Sequence, residues 1–425
     1  MSRRLYSLLF YLCLPIIFVR LFLRARRAPE YRLRWAERLG FYSSSPKTGG
    51  ILIHAVSVGE TLAAVPLIKR IQADYPDLPI SITTMTPTGS EQVRKNFGDD
   101  LFHVYIPYDL PRAVRRLLNT IKPRLVLVME TELWPNLVDQ CHRGQIPLVI
   151  ANARMSQRSA DSYGRVTSLV SPMLKQLSLI VAQTEQDRER LERLGVEAEK
   201  MVVAGNIKFD ISLTEQVQAA AALLKAEWGT ARAAAPRKIL IAASTHEGEE
   251  PVVLAAFQRL LITQPSLLLL LVPRHPERFN AVELMCTERG LRTKRRSSDS
   301  PCTIETQVII GDTMGELMSF YGTADIAFVG GSLVETGGHN LLEPAVWQLP
   351  IVSGPYMFNF SEIDKLMTVA GALVKVDDEH SLAARVTELL DSPGMSGHMG
   401  EAALSVVEQN RGSLDRLYRQ ITPYL

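Results

Sequence analysis

The sequence predicts an α/β protein made of two similar parallel-sheet halves, set behind an apolar N-terminal helix. Three observations lead there. From Gly50 onward, short apolar runs of strand length alternate with helix-length stretches, the rhythm of a parallel sheet covered on both faces. That rhythm pauses at an alanine-rich stretch, 212–235, and restarts at Ile239. Residues 5–19 are almost wholly apolar, with Arg3 and Arg4 before them and Arg24, Arg26 and Arg27 after.

The chain has 425 residues, enough for two or three domains. Hydrophobic residues make up 46% and charged residues 22%, an ordinary globular mixture, and a net charge of +2 gives no reason to expect a nucleic-acid partner. Cys13, Cys141, Cys286 and Cys302 are scattered without metal or disulfide spacing, which fits a reducing compartment. Histidines are few and unclustered, so no protein-built metal site is expected.

The elements follow in order. The N-terminal run with its flanks approaches the roughly 20 residues that span a bilayer. It has no small-residue cleavage site and reads as an uncleaved anchor. Its heavier arginine load on the C-terminal side puts the body in the cytoplasm. Pro15 and Arg20 weaken the span, and a helix lying in the interface is the rival. Residues 29–42 read as a short basic helix, with Leu33, Trp35 and Leu39 among Arg32, Arg34 and Arg38. It is either a solvated helix with an aromatic packed inward or a surface that meets anionic lipid. Strands are expected at 51–56, 80–84, 104–106, 125–129, 148–151, 179–182 and 201–204. Helices are expected at 61–71, 112–121 and 185–194, with a Thr-Pro-Thr-Gly loop at 86–89. The second half repeats the pattern with strands at 239–242, 267–272, 307–310, 326–329, 351–352 and 372–376, then helices from 381. Lys294, Arg295 and Arg296 read as an exposed loop or strand edge. The expected division is an anchor over 1–27, a first lobe over 28–211, a linker helix over 212–236, a second lobe over 237–405 and a C-terminal helix over 406–425.

Ligands of parallel α/β sheets bind beyond the C-terminal ends of strands. In the first half those positions hold Ser57, Gly59, Glu60, Glu130, Glu132, Asn152, Arg154, Asn206 and Lys208. These carboxylates and cations suit acid/base chemistry on a polyhydroxylated partner. In the second half they hold Ser244, Thr245, His246, Arg274, His275, Asp312, Thr313 and the Met314-Gly315-Glu316 turn. The stretch 326–345 adds a strand ending in Gly330-Gly331, a loop with Gly337 and Gly338, and Asn340 three before Glu343, the spacing of a capping box. Strand, glycine loop and helix start form a ready phosphate site, and Glu343 could take two ribose hydroxyls. Equally, those glycines end a strand and that pair caps a helix. Glu60 is a base candidate or a first-turn acid favoured by the helix dipole. Glu130, at the end of a buried strand, either pairs with a cation such as Arg154 or Lys208 or works at the site. Lys208 faces a departing phosphate or is a surface lysine. No Walker lysine motif occurs, and no G-x-G-x-x-G follows the first strand, so kinase, P-loop ATPase and dinucleotide oxidoreductase readings fall.

Seven motifs in order carry a resemblance. They are His54-Ala-Val-Ser-Val-Gly-Glu60, Glu130-Thr-Glu-Leu-Trp-Pro135, Asn152-Ala-Arg-Met-Ser156, Gly205-Asn-Ile-Lys208, Pro273-Arg-His-Pro276, Gly311-Asp-Thr-Met-Gly-Glu-Leu317 and Gly338-His-Asn-Leu-Leu-Glu-Pro344. Together they resemble the 3-deoxy-D-manno-octulosonic acid (Kdo) transferases of lipopolysaccharide assembly, over nearly the whole chain. The resemblance implies the GT-B architecture: two Rossmann-like lobes facing across a cleft, the first for the acceptor and the second for the nucleotide sugar. It implies an inverting transfer of Kdo from CMP-Kdo to the lipid A precursor at the cytoplasmic side of the bacterial inner membrane. Glu60 would be the general base, and Glu130 and Lys208 would stabilise the transition state. Pro273, Arg274, Met314, Gly315, Glu316, Asn340, Leu341, Leu342 and Glu343 would hold CMP. Ser57, Gly59, Glu132 and Arg154 are acceptor-side candidates. No cofactor and no metal are expected, since a monophosphate leaves. The rivals are a two-lobed transferase using a UDP-sugar on another membrane lipid, a nucleotide-sugar epimerase, and a membrane-tethered binding protein without catalysis.

Overall fold

The structure is a computed structural model that describes residues 1–26, 28–229 and 237–425. The expectations that fall on Arg27 and on the end of the alanine-rich stretch, including the boundary at Pro236, lie outside the described residues. The chain forms two compact units, Met1–Asp210 with Arg411–Leu425, and Ile211–Asn410.

The first unit is built on β1 (Ile51–His54), β2 (Ile80–Thr84), β3 (Phe102–Tyr105), β4 (Leu125–Met129), β5 (Leu148–Ala153), β6 (Leu179–Ala182) and β7 (Met201–Val203). They lie side by side as β3-β2-β1-β4-β5-β6-β7, each neighbouring pair parallel. Successive side chains go to opposite faces, so Ile51 and Ile53 enter one core while Leu52 enters the other. Both faces are covered by helices, which is why these strands read as continuous apolar runs. The strand order reverses between β1 and β4, and that is where such sheets open a crevice at their carboxyl edge. The last helix, Ser413–Ile421, returns to this unit and buries Leu417, Tyr418 and Ile421 in its core. Asp210 holds it there by accepting from the Gly412 and Leu414 N–H groups at 2.6 and 2.5 Å.

The second unit repeats the plan with β8 (Ile239–Thr245), β9 (Leu268–Pro273), β10 (Thr293–Arg295), β11 (Val308–Ile310), β12 (Ile326–Val329), β13 (Ile351–Ser353) and β14 (Leu373–Lys375). Their order is β10-β11-β9-β8-β12-β13-β14, again all parallel, with the reversal between β8 and β12.

Three local expectations change. The linker helix is, over its described part, a helix of the second unit: Glu215–Gly229 sinks Leu224 and Trp228 into that core, with Trp228 5.8 Å from Phe320. Residues 29–42 are not a helix but two 3₁₀ turns, Pro29–Arg32 and Glu37–Leu39. Between them Arg34 takes a left-handed φ of 59°, held by Glu37 at 2.7 Å and by the His103 carbonyl at 2.8 Å. The Thr-Pro-Thr-Gly loop opens the helix Pro87–Phe97, where Thr86 caps the Gly89 N–H and Pro87 fills the first helical position. The basic triplet, in contrast, keeps its place at a strand edge, beginning on the edge strand β10. Lys294, Arg295 and Arg296 pair with Glu227, Glu283 and Glu316, a charged edge that discourages further strand pairing.

The apolar N-terminal segment is α1 (Arg3–Arg24), a helix of 22 residues. It does not stand away from the protein. Phe10, Leu14, Ile17 and Phe18 pack on Tyr108, Leu110 and Ala113 of the first unit.

Candidate active site

In the first unit the helix Val58–Asp74 starts directly after β1, with Ser57 as its cap. Glu60 folds back over that cap. Its carboxylate accepts from the Val56 N–H at 2.7 Å and from the Ser57 hydroxyl at 2.8 Å, while the Ser57 oxygen accepts from the Glu60 N–H at 3.4 Å. Ser57 thus caps the first turn, while Glu60 reaches back past the cap to the preceding N–H, that of Val56. The side chain is also 93% buried, with only 7% of its surface exposed. Burial pushes its pKa up to about 7 against the pull of the two hydrogen bonds, and the charges of Glu130 and Glu132 add to the rise. The same residue therefore sits in the first turn of a helix and carries a carboxyl group with a pKa near neutrality.

Glu130 stands at the end of β4, across the strand reversal from Glu60. Its backbone is left-handed, φ 54°, an uncommon state for a residue with a long side chain. Its carboxylate meets Lys208 Nζ at 2.7 Å. Of the two cations weighed for it, Lys208 is the partner in this ion pair. Glu132 accepts from the Trp134 indole at 2.9 Å, and burial raises its pKa. Arg154 is exposed after β5, and its N–H donates to the Thr131 hydroxyl at 2.9 Å, which ties the two loops together. Gly59 is exposed, and a Cβ there would meet only the Ser57 hydroxyl oxygen at 3.9 Å, so no close approach demands glycine. Asn152, at φ 57°, braces the Lys208 loop: its side-chain oxygen accepts from the Ile207 N–H at 3.1 Å.

In the second unit Pro273 ends β9, and the Arg274 N–H donates to the Thr245 carbonyl at 2.9 Å while its side chain is exposed. Beyond β12 the expected capping box at Asn340 does not form. The helix is one turn, Leu342–Ala345, capped by no side chain. Asn340 turns inward instead, accepting from the Leu342 N–H at 3.1 Å and donating to Glu343 at 3.3 Å. A helix this short contributes little dipole. Leu341 and Leu342 are fully buried, backbone included, so their part is to support the loop around Asn340. Burial raises the Glu343 pKa, while Asn340 and the Arg274 charge pull it down. Met314 is 60% exposed, and Gly315 turns the loop at φ 93°. Glu316 is directed to Arg296 at 3.1 Å and to Thr313.

Two features escaped the sequence reading. Glu249, fully buried, accepts from the N–H groups of His246, Gly331, Ser332 and Leu333 at 2.8, 2.6, 2.9 and 2.9 Å. It thereby fixes the glycine loop after β12 to the end of β8. The only local signal was a pair of acids, Glu249 and Glu250, opening an apolar helix. His246 and His339 also stack across the strand reversal, rings 5.1 Å apart and Nε2 atoms 2.9 Å apart. Burial lowers both pKa values, that of His339 to about 3, with the Arg274 charge acting in the same direction on each. Among the described residues, no three His, Cys, Asp or Glu side chains gather as a metal-holding group.

Comparison with known proteins places this geometry. Residues 33–211 match the family described as 3-deoxy-D-manno-octulosonic-acid transferase (kdotransferase), and residues 250–406 match glycosyl transferases group 1. A curated 3-deoxy-D-manno-octulosonic acid transferase of Haemophilus influenzae is 45% identical over 428 residues, spanning 100% of this chain and 99% of the relative. One of Bordetella pertussis is 33% identical, with 100% of both chains covered. Among solved structures, the C-terminal CMP-Kdo binding domain of WaaA from Acinetobacter baumannii is 34% identical over 46% of this chain and 100% of its own, at a TM-score of 0.43. UDP-GlcNAc 2-epimerase from Neisseria meningitidis covers 88% of this chain and 99% of its own at 14% identity and a TM-score of 0.57. A glycosyltransferase from Rickettsia africae covers 89% and 98% at 14% identity and a TM-score of 0.54. Likeness at that identity shows the fold, the two-lobed GT-B type, and does not bear on the epimerase reaction. The matches along the full chain settle the family: this protein belongs to the 3-deoxy-D-manno-octulosonic acid transferases, and it is a glycosyltransferase.

Proposed function

We propose that the protein transfers Kdo from CMP-Kdo to a glucosamine hydroxyl of the lipid A precursor, with inversion, at the cytoplasmic face of a bacterial inner membrane. The observation that carries the mechanism is Glu60, a buried carboxyl with a pKa of about 7 at the strand reversal of the first unit. A base is most effective when its pKa lies near the working pH. The acceptor hydroxyl gives its proton to Glu60 as its oxygen bonds to the anomeric carbon of Kdo. The bond from that carbon to the phosphate oxygen breaks, and CMP leaves with the electron pair. Attack opposite the phosphate inverts the configuration. Glu130 stabilises the oxocarbenium-like charge, and Lys208 supplies positive charge toward the phosphate. At rest the two neutralise one another at 2.7 Å. Ser57, Gly59, Glu132 and Arg154 line the acceptor side.

The donor nucleotide is assigned to the second unit. Glu343 takes the ribose hydroxyls, Arg274 meets the phosphate, and Pro273, the Met314–Glu316 turn and Asn340 complete the seat, with the buried Leu341 and Leu342 supporting it. α1 holds the enzyme to the membrane where its lipid acceptor resides. No metal or other cofactor is assigned a role.

The test is to incubate detergent-solubilised enzyme with CMP-Kdo and the tetra-acylated precursor and to read products by mass spectrometry. Lipid heavier by whole Kdo units is expected. Absence of product from enzyme that binds CMP would overturn the acceptor. Glu60→Gln should transfer about 10²- to 10⁴-fold more slowly while retaining CMP affinity, and a variant as fast as the parent would remove the base assignment.

A further inference from the structure

We propose that α1 lies in the plane of the membrane, one face seated on the first unit and the other sunk into a single anionic leaflet, and does not cross the bilayer. This rests on the membrane association proposed above and states how it is made.

Both ends of α1 are fastened to the same unit. At its start, Arg3 meets Asp139 at 3.1 Å, and Arg3 and Ser7 donate to the Asn136 side-chain oxygen at 3.0 and 3.1 Å. At its midpoint Phe10 lies 6.2 Å from Tyr108. Near its end Phe18 packs against Trp35 and Tyr108, at 5.4 and 6.0 Å, and Ala25 is 1% exposed. A helix of 22 residues is about 33 Å long, and this one is seated from end to end. To cross a bilayer in this pose it would carry the Arg3–Asp139 pair, Asn136 and the buried Asp109 into hydrocarbon, where such groups are costly.

The outer face is equally continuous. Leu5, Leu8, Leu12, Ile16, Val19 and Leu23 are 45% to 70% exposed and fall on one stripe. At about 100° per residue that stripe is opposite the seated one, and Arg4 and Arg20 stand roughly 80° to either side of it. Apolar centre and cationic margins match a helix half-immersed beside acidic headgroups, with each guanidinium at the water boundary. The margin continues past the helix. Arg26 and Arg32 stand over the Phe22 ring at 5.8 and 5.9 Å, and Leu33 is 61% exposed beside them.

The test uses the full chain with Cys13→Ser, carrying either Ser2→Cys or, as a marker of the body, Asp99→Cys. Membranes of expressing cells are treated with a membrane-impermeant maleimide as intact spheroplasts and as inverted vesicles, and modification is read by peptide mass spectrometry. Positions 2 and 99 should both be modified in inverted vesicles and both be protected in spheroplasts. Modification of position 2 in spheroplasts with position 99 protected would show a crossing helix and overturn the inference while leaving membrane association intact. Recovery of the chain in the soluble fraction would overturn both.

Discussion

Lys208 Nζ lies 2.7 Å from Glu130 Oε1, joining the loop after β7 to the end of β4. Both side chains are about a quarter to a third exposed, at 31% and 25%, so the pair is not sealed and can open toward a substrate. Removing either partner leaves an uncompensated charge beside Glu60 and Glu132. Lys208→Met and Glu130→Gln should each lower kcat by about 10²- to 10³-fold, the scale of losing one transition-state electrostatic partner. The double variant should lose little more than the worse single one, because the two act as a unit. Full additivity in steady-state kinetics would show independent roles.

With Glu60 as the proposed base, activity and stability should run in opposite directions with pH. Its folded pKa, about 7, lies above the ordinary value of 4.5, so between those values the folded state binds more protons than the unfolded state. Stability from this group is therefore fully present below the ordinary value and is lost as pH rises through the folded one. Catalysis by the carboxylate rises over the same window. The rate should climb with a midpoint near pH 7, and Glu60→Gln should lower it by about 10²- to 10⁴-fold. The same variant should melt higher than the parent above that midpoint and show no such gain in acid, as read by calorimetry.

Asn152 holds a left-handed backbone, φ 57°, and caps the Ile207 N–H at 3.1 Å. Asn152→Gly should lose the hydrogen bond alone. Asn152→Ala should lose it and also strain the backbone, costing about 1 kcal/mol more. Urea unfolding would rank them, and an alanine variant as stable as the glycine one would dismiss the strain.

Glu249 accepts four backbone N–H groups within the second unit. An amide cannot replace it, since its NH₂ end would face donors. Glu249→Gln should cost on the order of 3 kcal/mol and weaken CMP binding by releasing the glycine loop. Unchanged melting temperature and CMP affinity would mean that the loop needs no such anchor.

Glu343 is assigned to the ribose. Glu343→Ala should weaken CMP in titration calorimetry by roughly tenfold or more, the loss of charge-assisted hydrogen bonds. An unaltered affinity would leave it only its contact with Asn340.

Much of the fold is legible because buried parallel strands advertise themselves. The runs at 125–129 and 326–329 are wholly apolar, and they are β4 and β12 as read. β3 was expected two residues late, since its first residues, Phe102 and His103, are only half-buried near the sheet edge. β10 reads only as a loop or strand edge because an edge strand carries charge where a central one carries leucine. The basic stretch after α1 has a helical pattern, yet Arg34 is captured by His103 from far along the chain, and local propensity yields. The candidate site is legible where cost forces a choice. A carboxylate at the end of a buried strand needs a cation, and Lys208 was one of two named. It is illegible where the partners are remote backbone. Nothing near Glu249 in sequence announces that Gly331, Ser332 and Leu333 will converge on it.

The seating of α1 has a corollary for anyone wishing to handle this enzyme in water. Trimming the first 25 residues would not simply detach a tether. It would bare Tyr108, Leu110 and Ala113, take Arg3 away from Asp139, and strip two donors from Asn136 a few positions after Glu130. The shortened protein would exchange one apolar surface for another and lose a wall behind the loop that follows Glu130. Charges placed on the outer stripe, at Leu12 and Ile16, would be the gentler route to solubility, because they leave that wall standing.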